Sequence, residues 1–311
     1  MLVDKNYYII LYYHYVRIKE PEYLRKEQFD ECRKLNLMGR IIVSSEGING
    51  TLSGLCKNIE LYMINLKKNK YFKNINFKIV EHNENVFSKL SVKHRKEIVS
   101  LKLNKDIFPK NREEFYLNPQ EFYDIISKNN NDTFLLDVRN NYEYDLGHFK
   151  NSINPNINHF RELPNWIEKE ISNFKDKKVI IYCTGGVRCE KISTFLKEKG
   201  IWEVYQLKGG IINYSQDKKV NGKLFEGKMY VFDQRISMNV NFDEKKIIGK
   251  DYFDQKPCER YINCANPECN KQILCSEKNE YNYLGSCSDN CRNNKKNRYF
   301  KKKLIKQKNF Q

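Results

Sequence analysis

Three segments of the chain differ in how their hydrophobic and polar residues alternate. Residues 1–103 open with the apolar run YYIILYYHYV, which predicts a buried strand, and the later stretches GRIIV, EGINGTLSG and INFKIVEH predict further strands and a glycine-rich turn. After the first run, apolar residues recur at the spacing of one helical face: Leu24, Phe29, Cys32 and Leu35. A second helix is predicted at IELYMINLKKN. This order of elements predicts a ferredoxin-like α+β domain over residues 1–103.

The second segment alternates short apolar runs with helical patterns. We expect a linker with a helix over 104–128, in which Asn118 caps the helix and Pro119 takes its first position. Over 129–225 the runs TFLLDVR, KKVIIYC and VYQLKGG predict strands, and EKISTFLKEKGI predicts an amphipathic helix. Such alternation predicts an α/β domain with a parallel sheet, whose functional sites lie at the carboxyl ends of its strands. The third segment, 226–311, has little apolar periodicity.

Composition excludes several classes of protein. The 311 residues are 40% hydrophobic and 31% charged, as in a soluble globular protein. No run of about 18 apolar residues predicts a membrane span. The N-terminus has neither the basic region nor the cleavage site of a secretory signal, so we expect a cytoplasmic protein. In that compartment the ten cysteines indicate thiol chemistry or metal binding rather than disulfides.

The positive charge is concentrated at the C-terminus. The formal net charge is +17, and residues 292–311 contain nine Lys or Arg and no acid. A block of one sign usually binds polyanions, and RNA or DNA is the polyanion that this composition favours. The alternative is a tail that only aids solubility.

The stretch IIYCTGGVRCEKIS carries the strongest chemical signal in the sequence. Cys183 stands at the carboxyl end of a predicted strand, and a helix is predicted to begin six residues later. The loop Thr184, Gly185, Gly186 and Val187 can turn its backbone N–H groups inward as an anion nest. Together with Arg188 and the helix N-terminus, these donors favour a thiolate at Cys183. The alternative is that Cys183 only fills the core at a strand end.

This loop and the stretch LLDVRNNYEYDLGHFKNSIN resemble the rhodanese domain. The resemblance implies that Cys183 is the nucleophile, which carries a persulfide in that family. The upstream match covers Asp137, Arg139, Glu143, Tyr144, Gly147 and His148, with Phe149 where the family usually has Ile. For Asp137, Arg139 and His148 we favour a bracing role over contact with a substrate.

A second cysteine lies in the same loop. Cys189 stands where most rhodaneses have Ser or another small residue, in the first predicted turn of the helix. A helix start lowers the pKa of a thiol, so Cys189 is a second candidate for the reactive group. The two cysteines can also form a dithiol–disulfide pair. We favour Cys183.

A narrower resemblance covers residues 5–292. The motifs EGINGTLSG, VKHRKEIV, CTGGVRCEK, KGGIINY and VFDQR, in this order, resemble the rhodanese-type tRNA uridine-34 hydroxylases. The resemblance implies a tRNA partner bound at its anticodon region, molecular oxygen as co-substrate and 5-hydroxyuridine as product. No flavin, nicotinamide or iron-binding motif is present, so the reductant stays open. The alternatives are a persulfide sulfurtransferase and an RNA-binding module without catalysis.

Covalent catalysis is our hypothesis for such an enzyme. Addition of the Cys183 thiolate at C6 of uracil makes C5 resemble an enolate, which can be oxidised.

Two N-terminal stretches are candidates for RNA contact. Glu46 and Asn49 lie in the glycine-rich turn, and Lys93 and Arg95 lie in the basic stretch that follows the domain's last strand. The alternatives are an ordinary hairpin turn at Asn49-Gly50 and a solvated basic face.

The third segment holds six of the cysteines, four of which are spaced as a zinc site. These four are Cys264, Cys269, Cys287 and Cys291. A segment with so little apolar sequence needs a metal to fold around, which favours structural zinc. The alternative is a metal-free remnant of such a site.

Overall fold

The computed structural model describes residues 6–109, 115–128 and 130–299. The last twelve residues of the basic tail, 300–311, lie outside this range, so the prediction that the tail binds RNA is not addressed by the structure. In the part of the chain that is described, no helix has the length and hydrophobicity needed to cross a bilayer.

The N-terminal domain has the predicted ferredoxin-like topology. Its elements are β1 (Tyr7–Tyr15), α1 (Pro21–Lys34), β2 (Met38–Ser44), β3 (Gly47–Leu55), α2 (Cys56–Lys68), β4 (Asn76–His82) and β5 (Leu90–His94). The sheet order is β4-β1-β3-β2-β5. One face of β1 packs under the helices through Ile10 and Tyr12. The other face carries Tyr13 and Tyr15 toward the second domain.

The turn between β2 and β3 differs from the sequence prediction. Ser44 pairs with Gly47, so the two turn residues are Ser45 and Glu46. Asn49 and Gly50 lie inside β3 and pair with β2 and β1. The alternative of a hairpin turn at Asn49-Gly50 is therefore wrong, because pairing on both sides holds these two residues in the middle of the sheet.

The second domain is built on a parallel sheet, as predicted. Its elements are β6 (Tyr116–Leu117), α3 (Pro119–Ile126), β7 (Thr133–Asp137), α4 (Asn141–Tyr144), β8 (Gly147–Phe149), α5 (Leu163–Phe174), β9 (Lys178–Tyr182), α6 (Val187–Glu198), β10 (Val204–Leu207) and α7 (Gly210–Gln216). The parallel strands are ordered β6-β10-β9-β7. The apolar strand β9 is central and buried on both faces, which explains its continuous run of hydrophobic residues.

The boundary between the domains differs from the expected linker. The Asn118 side chain caps α3 as predicted. However, β6 pairs with β10 and Phe122 of α3 is fully buried in the core of the second domain. The expected linker over 104–128 therefore ends before Tyr116. Leu101 and Ile107 also pack on this core.

The C-terminal module packs against the second domain through its first strand and otherwise consists of short strands and helices. These are β11 (Phe225–Tyr230), β12 (Ser237–Asn239), β13 (Tyr261–Asn263), β14 (Gln272–Leu274), α8 (Glu277–Asn282) and α9 (Asp289–Arg292). Strand β11 pairs with β8 of the second domain. The first part of the module packs on the core of the second domain through Phe225, Met229, Val231 and Val240. From Cys258 onward the apolar clusters are small: Cys258, Tyr261 and Leu274 pack with Leu146 of the second domain, and Ile262, Ile273 and Cys275 form another cluster.

Candidate active site

Cys183 lies directly after β9, at the carboxyl end of the central strand. The loop that follows ends at α6, which begins at Val187, two residues earlier than predicted. Gly186 takes a φ of 100°, which turns the backbone so that its N–H donates to the Cys183 Sγ at 3.1 Å. The Gly186 N–H therefore has the inward orientation that the sequence predicts for this loop.

The environment of Cys183 favours its thiolate. Burial works against ionisation, but a hydrogen bond from the Cys189 thiol, the charge of Arg188 and the backbone N–H groups of Cys189 and Arg188 outweigh it. Together they lower the pKa of Cys183 to about 5. At neutral pH the group is therefore a thiolate, as the sequence predicted.

Cys189 has the opposite character. Burial, the hydrogen bond that it donates to Cys183 and the Cys183 charge raise the pKa of Cys189 well above its ordinary value. The prediction that the helix start lowers the pKa of Cys189 is therefore wrong. The Cys189 thiol is a hydrogen-bond donor beside the Cys183 thiolate, and the backbone N–H groups at the start of α6 already donate to Cys183 rather than to Cys189.

Arg188 is held in place by Glu143. Its guanidinium donates to both Glu143 carboxylate oxygens at 2.6 and 2.7 Å, and Thr184 Oγ1 donates to the same carboxylate at 3.2 Å. Glu143 is fully buried, and its carboxylate also accepts the Asn140 backbone N–H at 3.1 Å at the start of α4. Arg188 thus supplies positive charge to Cys183 in a fixed orientation. Sequence analysis noted Glu143 only as part of a motif and missed this positioning role.

Asp137 and Arg139 form a second buried ion pair. Arg139 donates to Asp137 through Nε at 2.9 Å and Nη2 at 2.6 Å, and to the Gly147 carbonyl at 2.6 Å. His148 stacks on Tyr144 with ring centroids 3.7 Å apart and lies 2.9 Å from the Tyr144 carbonyl. These contacts support the bracing role predicted for Asp137, Arg139 and His148.

The N-terminal domain closes over the loop. Tyr13 of β1 donates to Glu190 at 2.8 Å, and Tyr15 donates to the Val187 carbonyl at 3.0 Å. Between the domains lies a cavity of about 810 Å³, which we call the interdomain cavity. Cys183, Thr184 and Gly185 form part of its wall.

The interdomain cavity is strongly positive. Among the described residues of its lining, one carboxylate, Glu97, faces seven basic residues: Arg40, Lys78, Arg95, Lys96, Lys102, Arg161 and Arg188. Aromatic residues from both domains also line it, among them Phe160 and Phe232. A cavity with basic and aromatic walls can bind both the phosphate and the base of a nucleotide.

Lys78 is the basic residue that sequence analysis missed and that the fold brings toward Cys183. Its ammonium lies 5.0 Å from the Tyr13 ring centroid. Burial lowers the pKa of Lys78 to about 8, against the opposing effects of the Cys183 and Glu190 charges. Lysine in a strand is an unremarkable residue, and the sequence holds no signal that this one faces a cavity.

The predicted RNA-binding residues take different positions. Arg95 is exposed and lines the interdomain cavity, and Asn49 lines it while donating to the Ile98 carbonyl at 3.2 Å. Lys93 is exposed on β5 and is not part of the cavity wall. Glu46 is only 3% exposed and forms an ion pair with Lys191 at 2.9 Å, so it braces the domains instead of facing RNA. The prediction for Glu46 is therefore corrected.

The four predicted metal ligands meet in the C-terminal module. The sulfur atoms of Cys264, Cys269, Cys287 and Cys291 all lie within 4.8 Å of one another. Tetrahedral zinc with four thiolates places its sulfurs about 3.8 Å apart, so this donor set fits zinc. The remaining cysteines of the segment, Cys258 and Cys275, belong to the two apolar clusters.

Three protein-family models match successive parts of this chain. The UPF0176 acylphosphatase like domain matches residues 7–98, the rhodanese-like domain matches 118–217, and the rhodanase C-terminal domain matches 226–292. The tRNA uridine(34) hydroxylase of Onion yellows phytoplasma (strain OY-M) is 54% identical over 299 residues, which are 96% of each chain.

Two further relatives bear the same name. The protein of Staphylococcus carnosus (strain TM300) is 50% identical over 96% of this chain and 94% of its own. The protein of Staphylococcus aureus (strain MSSA476) is 52% identical over 94% of this chain and 92% of its own. With such identity over nearly its full length, the chain belongs to the tRNA uridine(34) hydroxylase family.

Proposed function

We propose that this protein hydroxylates uridine 34 of tRNA to 5-hydroxyuridine, with Cys183 as the catalytic nucleophile. The observation that carries the assignment of Cys183 is its thiolate, held at the wall of a basic cavity large enough for a nucleotide. The relatives named above supply the reaction. The anticodon loop, where residue 34 lies, is the region of tRNA that the cavity receives, and the protein acts in the cytoplasm.

Molecular oxygen is the co-substrate in this proposal. One oxygen atom enters the new C5–OH group and the other leaves as water, so the reaction takes up two electrons and two protons from an external two-electron reductant.

The thiolate prepares C5 for oxidation. Cys183 Sγ forms a bond to C6 of the uracil, and the C5=C6 electron pair moves onto the C4 carbonyl oxygen. The resulting enolate carries electron density at C5, where the oxygen is introduced. Loss of the C5 proton and departure of the thiolate from C6 then restore the double bond and the free enzyme.

Lys78 and Arg188 have distinct roles in this scheme. Lys78 is the cation of the opposite wall and stabilises the negative charge that develops on the C4 oxygen. Arg188 is committed to Glu143 and acts through Cys183, whose thiolate it stabilises.

The test is a reaction of the purified protein with unmodified tRNA, reductant and isotopically labelled oxygen. Nucleoside mass spectrometry detects 5-hydroxyuridine that contains the label. The Cys183→Ser variant forms no product yet binds tRNA as the wild type does. Cys189→Ser is the matched variant and keeps activity, because it leaves the nucleophile in place and its hydroxyl can still donate to the Cys183 sulfur. Full activity of Cys183→Ser would remove Cys183 from the mechanism.

Sulfur transfer is the second candidate function. The backbone donors that surround Cys183 also suit a persulfide, as in other rhodanese domains. This candidate predicts thiolated tRNA, or transfer of sulfur from thiosulfate to a small acceptor, and no 5-hydroxyuridine. The same mass spectra separate the two functions.

A further inference from the structure

A second cavity, of about 860 Å³, lies between the rhodanese domain and the C-terminal module. Tyr142 and Tyr144 line it from the rhodanese domain, and Lys250, Tyr252, Tyr261 and Lys271 line it from the module. We call it the tyrosine groove. It contains none of the residues that the proposed reaction uses.

The tyrosine groove adjoins the interdomain cavity. Asn140 and His159 line both cavities. A polynucleotide with one base at Cys183 can therefore continue directly into the tyrosine groove. His159 is exposed and Asn140 is half-buried, which leaves polar groups at the junction of the two.

The chemistry of the groove suits single-stranded nucleic acid. Two lysines face one carboxylate, Asp145, in its lining. Tyr252 has 41% of its surface exposed, and the Lys271 ammonium lies 4.8 Å from the centroid of its ring. Bases stack on exposed aromatic rings whatever their sequence, and lysines bind the phosphates between them.

Because the tyrosine groove adjoins the interdomain cavity, it can hold another part of the RNA whose uridine lies at Cys183. An enzyme that modifies one base of a loop must separate that base from its neighbours, and the neighbours then need a surface of their own. The groove is the aromatic and basic cavity that begins where the interdomain cavity ends. The lining also contains Ile248, Ile273 and Leu274, but its tyrosines, amides and lysines favour a nucleic acid over a peptide as the occupant.

We propose that the tyrosine groove binds the anticodon-loop nucleotides next to the reacting uridine, with Tyr252 stacking on a base and Lys250 and Lys271 contacting phosphates. The inference rests on the proposed function, because these nucleotides are present only if the substrate is a tRNA loop. It assigns RNA binding to the face of the cysteine-rich module that borders the tyrosine groove.

The test measures binding of a synthetic anticodon stem-loop to the full-length protein. Tyr252→Ala weakens the affinity about tenfold, and Lys250→Ala and Lys271→Ala each weaken it and reduce its dependence on salt by about one counterion. In turnover with tRNA the three variants raise KM and leave kcat unchanged. The matched controls are Lys278→Ala, an exposed lysine on α8, and Tyr23→Ala, an exposed tyrosine on α1. Both keep wild-type affinity.

A crosslinking experiment with the wild-type protein tests the same proposal and does not depend on whether a variant folds. A stem-loop with a photoreactive 4-thiouridine beside position 34 is irradiated with the wild-type protein, and mass spectrometry locates the crosslinked peptides. Crosslinks at Tyr252 or Lys271 support the proposal.

Two failures are distinguishable. If the wild type forms 5-hydroxyuridine while the groove variants bind the stem-loop with unchanged affinity and crosslinks fall elsewhere, the groove belongs to another occupant, such as a protein, and the proposal is overturned. If the wild type forms no 5-hydroxyuridine, the proposed function fails by itself, and loss of stem-loop affinity in the groove variants still assigns RNA to the groove.

Discussion

At the scale of single residues, Cys183 combines full burial with an acidic thiol. Burial alone favours the neutral form, as the raised pKa of Cys189 shows six residues later. The difference between the two cysteines is the direction of their hydrogen bonds. Cys183 receives donors from the loop and from Cys189, whereas Cys189 donates to Cys183.

The Cys183 thiolate predicts an ionisation in the acid range. With a pKa of about 5, Cys183 stays ionised from pH 6 upward and takes up a proton as the pH falls through 5. An ordinary thiol would ionise near pH 8.5, or about three units higher. The measurement is the ultraviolet thiolate absorbance of the wild type minus that of Cys183→Ser between pH 4 and about 9. A midpoint above about 8 would contradict the geometry of the loop.

Lys78 predicts an alkaline limit on activity. It is a cation below its pKa of about 8 and becomes neutral above it, so kcat/KM falls as the pH rises through about 8. Lys78→Met loses most of the activity at every pH. Lys78→Arg keeps part of it and has no fall near pH 8, because arginine stays protonated. The measurement is the pH profile of kcat/KM, and a fall near pH 8 that persists in Lys78→Arg would assign the ionisation to another group.

At the scale of elements, the link between β9 and α6 depends on one glycine. Gly186 has a φ of 100°, and a Cβ at this position would lie 2.8 Å from the Tyr13 hydroxyl. Tyr13 is held by a hydrogen bond to Glu190 on the same helix α6, so relief of the contact either breaks that bond or shifts the loop. Loop conformation and domain contact are thus set together.

Gly186→Ala is expected to reduce kcat at least tenfold and to raise the pKa of Cys183, because the loop N–H groups leave the sulfur. Gly185→Ala is the matched control, since a Cβ there meets no atom within 4 Å and the backbone is not in the left-handed region. Thiolate absorbance and product formation report both effects. Wild-type product formation and an unchanged pKa of Cys183 in Gly186→Ala would show that the loop tolerates the change.

The cysteine cluster makes a prediction for the C-terminal module. The module has small apolar clusters, so zinc at Cys264, Cys269, Cys287 and Cys291 supplies a large part of its stability. Elemental analysis of the purified protein gives about one zinc per chain. Cys287→Ser loses the metal, and Cys258→Ser, in the same module but outside the cluster, retains it. A metal-free wild type, purified without chelator, would contradict the prediction.

Features of the fold that depend on residues close together in the chain could be predicted from the sequence, and features that depend on domain packing could not. The ferredoxin-like order, the Asn118 cap and the Cys183 loop were predictable because each depends on residues close together in the chain. The Asn49-Gly50 turn failed because a local turn signal was overridden by pairing on both sides of β3. Lys78 and the role of Glu46 were missed because both depend on which face of one domain meets the other.

At the scale of the whole molecule, one buried lysine joins the two domains. Lys191 of α6 lies 2.9 Å from Glu46 and 2.9 Å from Glu97, and its Nζ also donates to the Val99 carbonyl at 3.3 Å. Only 2% of Lys191 is exposed. The partners come from the N-terminal domain and from the segment that follows it, so this ion pair fixes the width of the interdomain cavity.

Lys191→Met leaves the buried Glu46 carboxylate and the partly buried Glu97 carboxylate without this cation, and it is expected to destabilise the protein by about 3–5 kcal/mol, measured by urea unfolding. Lys199→Met is the control: its partner Glu168 is half exposed, and loss of that pair costs about 0–1 kcal/mol. Adding Glu46→Gln to Lys191→Met recovers part of the loss, because one unpaired charge is removed. Because the pair spans the domains, tRNA affinity falls with stability in Lys191→Met and recovers in the double variant. If Lys191→Met unfolds as the wild type does, the domains are held together by their other contacts, among them the tyrosines of β1 and the hydrogen bond from Gln216 to the Ile79 carbonyl.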